Sequence, residues 1–291
     1  MHRIARCAVR ALYAEVALEP KPGLVSFRDN GSHSDMQAAT FVKSLFALRH
    51  YFGHMAQAGA RGLPLEALQA LGLAAEVRML AATGGINTHR GAVFALGLLC
   101  AAAGWLAAPG APVTASAVRA SLLAHWGGAL RARADRAALA PPASHGQRAQ
   151  RRYGLRSAGE EAALGFPTLF EVTLPTLQAA LRAGHAQRAA RVQALFATMA
   201  VLDDTNTAHR GGLAGLQFVQ SAARGFLDAG GVAQPGWLQS ARAIHADCVQ
   251  QHLSPGGSAD VLACACWLQE LGQLHGRVAG PALPAARLAK A

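Results

Sequence analysis

Apolar residues along this chain recur every three to four positions, and runs in which β-branched residues alternate with polar ones are nearly absent. A helix turns once per 3.6 residues, whereas strand side chains alternate faces, so the pattern predicts helices throughout. The expected class is all-α. Ile4, Ala8, Ala11, Leu12 and Val16 fall on one face of a first helix, which stops before Pro20-Lys21-Pro22-Gly23. Further helices are expected over 41–55, 64–82, 92–103, 116–139, 174–183, 186–202, 213–228, 236–253 and 259–271. Pro64 suits a first turn and Gly84-Gly85 a stop.

With 291 residues, 52% of them hydrophobic and 15% charged, the chain can bury a core, which excludes disorder as its main state. The positive mean hydropathy of +0.20 owes much to alanine. The longest apolar stretch, 92–108, is about 17 residues and is interrupted by glycines, at the lower edge of a bilayer span, so it reads as a buried core helix. Arg10 and Glu15 break any secretory apolar run. A cytoplasmic protein with no membrane partner is expected. Breaks at 107–113 and 140–146 are short, and polar motifs lie on both sides of them. A single compact catalytic domain over 1–279 is therefore expected, its active site between helix N-termini, followed by a disordered tail at 280–291.

Five cysteines, Cys7, Cys100, Cys248, Cys264 and Cys266, are scattered without the density of a disulfide scaffold or a second pair for zinc, and read as structural. The net charge of +11 suits an anionic ligand. Arginine supplies 24 of the 27 basic residues, so each of the three lysines carries more information than an arginine. The arginine-rich stretch around 131–152 has few aromatics for base stacking, which argues against a nucleic-acid partner.

Polar residues cluster at helix starts. Five of the eight aspartates lie in three short blocks: Asp29 and Asp35, Asp203 and Asp204, and Asp260. In the first block two prolines stiffen the chain around Lys21, and Asp29, Asn30 and Gly31 are turn formers leading to Ser34 or Asp35 as the next helix cap. An ordinary capped loop would look the same. Asn87-Thr88-His89-Arg90-Gly91 and Asn206-Thr207-Ala208-His209-Arg210-Gly211 repeat one another with a single insertion. Each sets polar residues, a histidine and an arginine at a helix start, where free N–H groups and the dipole attract phosphates. Asp203 and Asp204 are hard oxygen ligands of the kind Mg²⁺ takes beside substrate phosphates, although Asp204 could equally be an N-cap. Ser254-Pro255-Gly256-Gly257-Ser258-Ala259-Asp260 offers backbone donors for an anion. A last block joins Ser144-His145-Gly146-Gln147 to Arg156 and Glu161, the latter a candidate placed carboxylate. No Walker A, G-x-G-x-x-G, H-E-x-x-H or G-x-S-x-G motif is present, so kinase, dehydrogenase, zincin and α/β-hydrolase readings lose their usual support.

Taken in order, PKPGLV with DNGSHSDM, GGINTHRGAVFALGLL, SHGQ with YGLR and EEAALGFP, DDTNTAHRGG, and SPGGSAD resemble the triphosphoribosyl-dephospho-CoA synthase family. The resemblance runs from residue 20 to residue 260. It implies an all-α enzyme that joins ATP to 3′-dephospho-CoA, releases adenine and makes the prosthetic-group precursor of an acyl-carrier subunit. Where the family pattern has Gly-Ala-Arg-Gly-Glu-Ala, this chain has Ser157-Ala158-Gly159-Glu160-Glu161-Ala162, without the arginine. The stretch 155–167 and Asp228-Ala229-Gly230-Gly231 look closer to the malonate-decarboxylase branch than to the citrate-lyase branch.

On that resemblance, Asp35 or Glu161 is the expected base, and His33, His89 or His209 the expected acid, because histidine changes charge near neutral pH. Lys21, Asp29, Asn30, Asn87, Thr88, Arg90, Arg156, Asn206, Arg210, Gly256, Gly257, Ser258 and Asp260 are the expected substrate contacts. Mg²⁺ is expected on Asp203 and Asp204. The partners implied are ATP, 3′-dephospho-CoA and, indirectly, a downstream transferase that loads the acyl-carrier protein; a homo-oligomer is compatible with the sequence. Two other readings stay open: an Mg²⁺-dependent nucleotide N-glycosidase, and a basic helical module that binds nucleic acid.

Overall fold

The computed structural model describes residues 1–142 and 144–278, with the side chains of residue 145 and residues 274–278 left aside. In chain order its helices are α1 (His2–Val16), α2 (Ala38–Leu48), α3 (Tyr51–Ala60), α4 (Leu65–Thr83), α5 (Arg90–Ala107), α6 (Ala115–Leu139) and α7 (His145–Tyr153). Then follow α8 (Ala158–Ala163), α9 (Leu174–Arg182), α10 (Gln187–Val201), α11 (Thr205–Asp228), α12 (Trp237–Gln250) and α13 (Gly256–Val278). A π-helical turn (Thr168–Thr173) precedes α9, and a 3₁₀ turn (Gly231–Ala233) precedes α12. No strand occurs among the described residues, so the all-α expectation holds. The expected tail, 280–291, lies outside them.

Helix α5 is the hub. Helices α1, α3, α4, α6 and α13 all pack on it. Although it is long and apolar enough to cross a bilayer, 67% of it is buried within the protein, as expected of a core helix. Its glycines and alanines let neighbours approach closely. A Cβ on Gly104 would lie 2.0 Å from Ala56 O, and one on Gly59 would lie 1.9 Å from Ala101 O, so α3 and α5 touch backbone to backbone. One continuous apolar cluster draws on residues from Ile4 to Leu271. All five cysteines are buried in it without disulfides, and burial pushes the thiols up, Cys7 to about 11 and Cys248 to about 12. They pack; they are not nucleophiles.

Three local differences from the sequence reading have physical causes. The helix expected over 41–55 divides at Arg49-His50, because α2 lies on α4 whereas α3 is drawn against α5. Its start is capped by neither Ser34 nor Asp35, both exposed; Gln37 is the cap, its N–H donating to Thr40 Oγ1 at 3.3 Å. The helix expected from residue 213 gains about two turns at its front, from Thr205, and kinks at Gly212, which alone along it adopts φ +66°. Only glycine takes that conformation without strain. Helices α7 and α8 are short and polar, with no apolar stripe to betray them, and each opens with a capping box, Ser144 with Gln147 and Ser157 with Glu160.

Candidate active site

The starts of α5, α11 and α13 meet. Asp204 caps α11 by accepting the N–H groups of Asn206 at 3.1 Å and Thr207 at 3.3 Å through one oxygen. Its other oxygen accepts Ser258 N–H at 2.8 Å and Ser258 Oγ–H at 3.1 Å. The Gly-Gly-Ser nest at the start of α13 thus already holds an anion, and it is Asp204. Asp260, one turn into α13, accepts the N–H of Ala92 in the first turn of α5. Gly91 makes this approach feasible: a Cβ there would fall 2.0 Å from Asp260 Oδ2. Segments 87–91, 203–211 and 254–260 therefore share one centre, stitched together by carboxylates reaching from one helix start to the next.

Beneath that centre lies an ion pair. Lys21 Nζ donates to Glu15 Oε1 at 2.5 Å, with both side chains almost wholly buried. Glu15 stands on the inward face of α1, in register with Leu12 and Val16. Burial, followed by the charges of Glu15 and Asp204, drives the carboxyl of Asp260 well above the usual range. His89, the residue before α5, is buried too, and its Nδ1 shares a hydrogen with Ser44 Oγ of α2 at 2.7 Å. Burial, aided by the charge of Lys21, lowers the His89 pKa to about 3. Three buried side-chain polar atoms have no hydrogen-bond partner among the described residues: Thr88 Oγ1, His89 Nε2 and Thr207 Oγ1. All three fall in the two related Asn-Thr segments.

The first loop folds onto the same centre from the other side. Arg210 donates to Ser32 O at 3.1 Å, to His252 O at 3.2 Å and to His33 Nδ1 at 2.9 Å. His33 Nε2 lies 2.8 Å from Ser254 Oγ, so this imidazole is neutral, accepting from the arginine and donating to the serine. Burial, with the charge of Arg210, lowers its pKa, while nearby Asp35, 3.6 Å away, opposes the shift. Gly23 and Gly31 turn the loop in left-handed conformations, and a Cβ on Gly23 would lie 2.0 Å from Leu253 O. Asp29 caps Gly31 N–H at 2.9 Å and faces His245 Nε2 at 3.2 Å.

A third group flanks α11. Arg156 donates from its backbone N–H to Asp203 Oδ2 at 2.9 Å and from its guanidinium to Glu161 Oε1 at 2.9 Å. Glu161, buried in α8, also accepts Thr168 Oγ–H at 3.1 Å and Thr168 N–H at 3.3 Å. A left-handed turn at Gly165 and Phe166, followed by the π turn, carries Thr168 back to it. Such turns are uncommon and concentrate at functional positions. A cavity of about 450 Å³ opens here, lined by Arg131, Asp135, Leu155, Arg156, Glu160 and Asp203 among others.

The structure thus gathers Lys21, His89, Asp204, Ser258, Gly257 and Asp260 at the helix starts, with Asn206 3.0 Å from where a Cβ on Gly256 would be. Asp29, His33 and Arg210 border them. Several expected contacts are placed elsewhere or differently. Arg90 is turned to Glu76 of α4, at 2.9 Å. Asn87 caps Arg90 N–H at 3.1 Å, with its residue exposed. Asn30, Asp35 and His209 are exposed. Asp203 and Asp204 face different partners, and no group of three or more His, Cys, Asp or Glu able to hold a metal occurs among the described residues. Sequence reasoning passed over Glu15 and Ser44. A lone glutamate on the apolar face of α1 was the available signal for the first; nothing marks the second.

A family model described as CitG, ATP:dephospho-CoA triphosphoribosyl transferase, matches residues 1–278. The chain belongs to this family. Relatives at this level carry the name "Probable 2-(5''-triphosphoribosyl)-3'-dephosphocoenzyme-A synthase". One from Azotobacter vinelandii is 43% identical over 284 residues, covering 96% of this chain and 94% of its own. Another, from Acinetobacter calcoaceticus, is 40% identical over 267 residues, covering 91% and 90%. A third, from Vibrio cholerae, is 39% identical over 281 residues, covering 93% and 88%. No solved structure matches the chain. Position 159, where the resemblance leads one to expect an arginine, is Gly159, and a Cβ there would meet only Ser157 Oγ, at 3.7 Å. Arg156 is the cation that reaches Glu161.

Proposed function

We propose that this chain is a triphosphoribosyl-dephospho-CoA synthase. The 2′-hydroxyl oxygen of 3′-dephospho-CoA attacks C1′ of the ATP ribose, the C1′–N9 bond breaks, and its electron pair leaves with adenine. The hydroxyl proton is lost to a base, and adenine takes up a proton as it departs. Family membership supports this reading, and the observation that carries it to particular residues is the trio of unpartnered polar atoms, Thr88 Oγ1, His89 Nε2 and Thr207 Oγ1, at two converging helix starts. Buried polar groups are nearly always hydrogen-bonded, so a nucleotide there supplies the missing partners.

The transition state is oxocarbenium-like by analogy with glycoside chemistry. Asp260, Asp204 and Glu15 lie close enough for their charges to act on one another, which together with burial favours a protonated Asp260, so the negative charge set against developing positive charge is that of Asp204 and Glu15. His89 is held neutral, so its unpartnered Nε2 serves as an N–H donor toward a leaving base rather than as an imidazolium acid, whereas both nitrogens of His33 are taken by Arg210 and Ser254. Asp35, exposed and unburdened by backbone donors, is the better base. Glu161 is committed to Arg156 and Thr168.

Mg²⁺ fits this site through few protein ligands. Asp204 has both oxygens occupied by helix starts, whereas Asp203 accepts one backbone N–H through Oδ2. Asp203 would hold the ion, which would neutralise phosphate charge. The reading places the enzyme in the cytosol. On the resemblance of 155–167 and 228–231, its product goes through a downstream transferase to the acyl-carrier subunit of malonate decarboxylase.

The test is product analysis by mass spectrometry after incubation with ATP and 3′-dephospho-CoA. Free adenine in step with a triphosphoribosyl-dephospho-CoA product is expected. Adenine with free triphosphoribose would make the protein an N-glycosidase, and no adenine at all would end the enzymatic reading.

A further inference from the structure

The cavity beside Asp203 is not made by the converging helix starts. It lies between α6, the Gly154–Arg156 turn and α8, and only Asp203 joins it to the start of α11. Arg131 and Asp135 line it from α6. Four residues apart, they project from one helix face. A second hollow of about 240 Å³ continues past Gly154, Leu155 and Glu160, which line both, to Ala137, Ala138, Gln147, Gln150 and Arg151. The combined groove is thus ordered: carboxylates Asp203 and Asp135 with arginines 131 and 156 in the larger hollow, then alanines, two glutamines and Arg151 in the smaller.

That order matches one of the two substrates. The donor is compact, and the buried unpartnered atoms of Thr88, His89 and Thr207 lie at the helix starts instead. The acceptor is long: a nucleoside with a free diol, a diphosphate, then an arm of methylenes and amides that must leave toward solvent. Arginine guanidinium groups suit the diphosphate. Glutamine amides and alanine surface suit the arm. Carboxylates accept hydrogen bonds from ribose hydroxyls, as in dinucleotide-binding folds, and repel an added phosphate.

Resting on the synthase reading, we propose that this groove is the seat of 3′-dephospho-CoA, with Arg131 holding its diphosphate. The carboxylates of the larger hollow, Asp135 foremost, select the free 3′-hydroxyl against the 3′-phosphate of coenzyme A. Neither residue was marked by the motifs, because both sit in the middle of an arginine-rich helix.

Steady-state kinetics of the full chain, following adenine release, tests this. In Arg131→Gln, KM for dephospho-CoA rises about tenfold or more while KM for ATP stays within about twofold, the scale of one charge-assisted contact. In Asp135→Asn, coenzyme A becomes a better competitor against dephospho-CoA, its inhibition constant falling about fivefold or more relative to KM for dephospho-CoA. An unchanged KM for dephospho-CoA, or a rise confined to ATP, would overturn the assignment of the groove; an unchanged inhibition constant would overturn the selectivity. A wild-type protein that releases no adenine brings down the synthase reading itself, an outcome distinct from either.

Discussion

The carboxylate of Asp204 binds Ser258, 54 residues away in sequence, through both its backbone N–H and its hydroxyl, joining the starts of α11 and α13. One side chain, buried to 2% exposure, caps α11 and α13 together. Removing it strands four or more donors at once. Asp204→Ala is therefore expected to lower the unfolding free energy by about 3–5 kcal/mol, as for other broken buried charge networks. Asp204→Asn, which keeps an acceptor oxygen, is expected to lose about half as much. Urea denaturation followed by circular dichroism reads both, and an alanine variant within 1 kcal/mol of wild type, roughly the worth of one neutral hydrogen bond, contradicts the cap.

His89 gives a pH dependence of definite sign. Its pKa is about 3 in the folded protein and about 6.5 in an unfolded chain. Below pH 6.5 the unfolded chain takes up a proton that the folded protein refuses, so stability is lost as pH falls. The slope from this group approaches roughly 1.4 kcal/mol per pH unit until the folded value is reached. His89→Gln should flatten the stability curve between about pH 6 and pH 4 by close to one proton. Equal slopes in variant and wild type would mean that the imidazole titrates normally.

Lys21 and Glu15 are expected to be coupled. Lys21→Met leaves Glu15 charged and alone in the core, at about 3–5 kcal/mol. Adding Glu15→Leu should restore most of that stability, giving a large coupling in the double-mutant cycle. Adenine release should stay low in the double variant, because the charges bordering Asp260 and His89 are gone. If turnover returned together with stability, the pair would serve the fold alone.

Gly91 offers the smallest probe. In Gly91→Ala the new methyl must displace the Asp260 carboxylate from the start of α5. A stability loss of about 1–3 kcal/mol is expected, as for other overpacked sites. Adenine release should fall at least tenfold, by about the general acid–base and positioning scale. Gly85→Ala is a useful control for glycine replacement near the same segment: nothing lies within 4 Å of its added Cβ, and only its left-handed φ of +88° is strained. Its activity should exceed that of Gly91→Ala.

What the sequence determined by itself was helicity, the central place of the 92–103 segment and the polar blocks that carry the chemistry. These are local properties: side-chain period, glycine stops, and short runs of capping residues read one turn at a time. The repeated Asn-Thr segments were legible for the same reason, and they do lie at converging helix starts.

Tertiary structure decided what those blocks do to one another. Asp204 and Asp260 looked like a metal ligand and a substrate contact, yet each reaches across to another helix start and occupies donors that seemed free for phosphate. Their partners are fixed by packing around α5, which no local pattern encodes. Burial likewise decided the charge of His33 and His89, for the low dielectric of the interior disfavours an imidazolium that sequence alone would allow. Glu15 and Ser44 matter only because α1 and α2 are folded against residues far along the chain, so their roles exist in space and not in any motif.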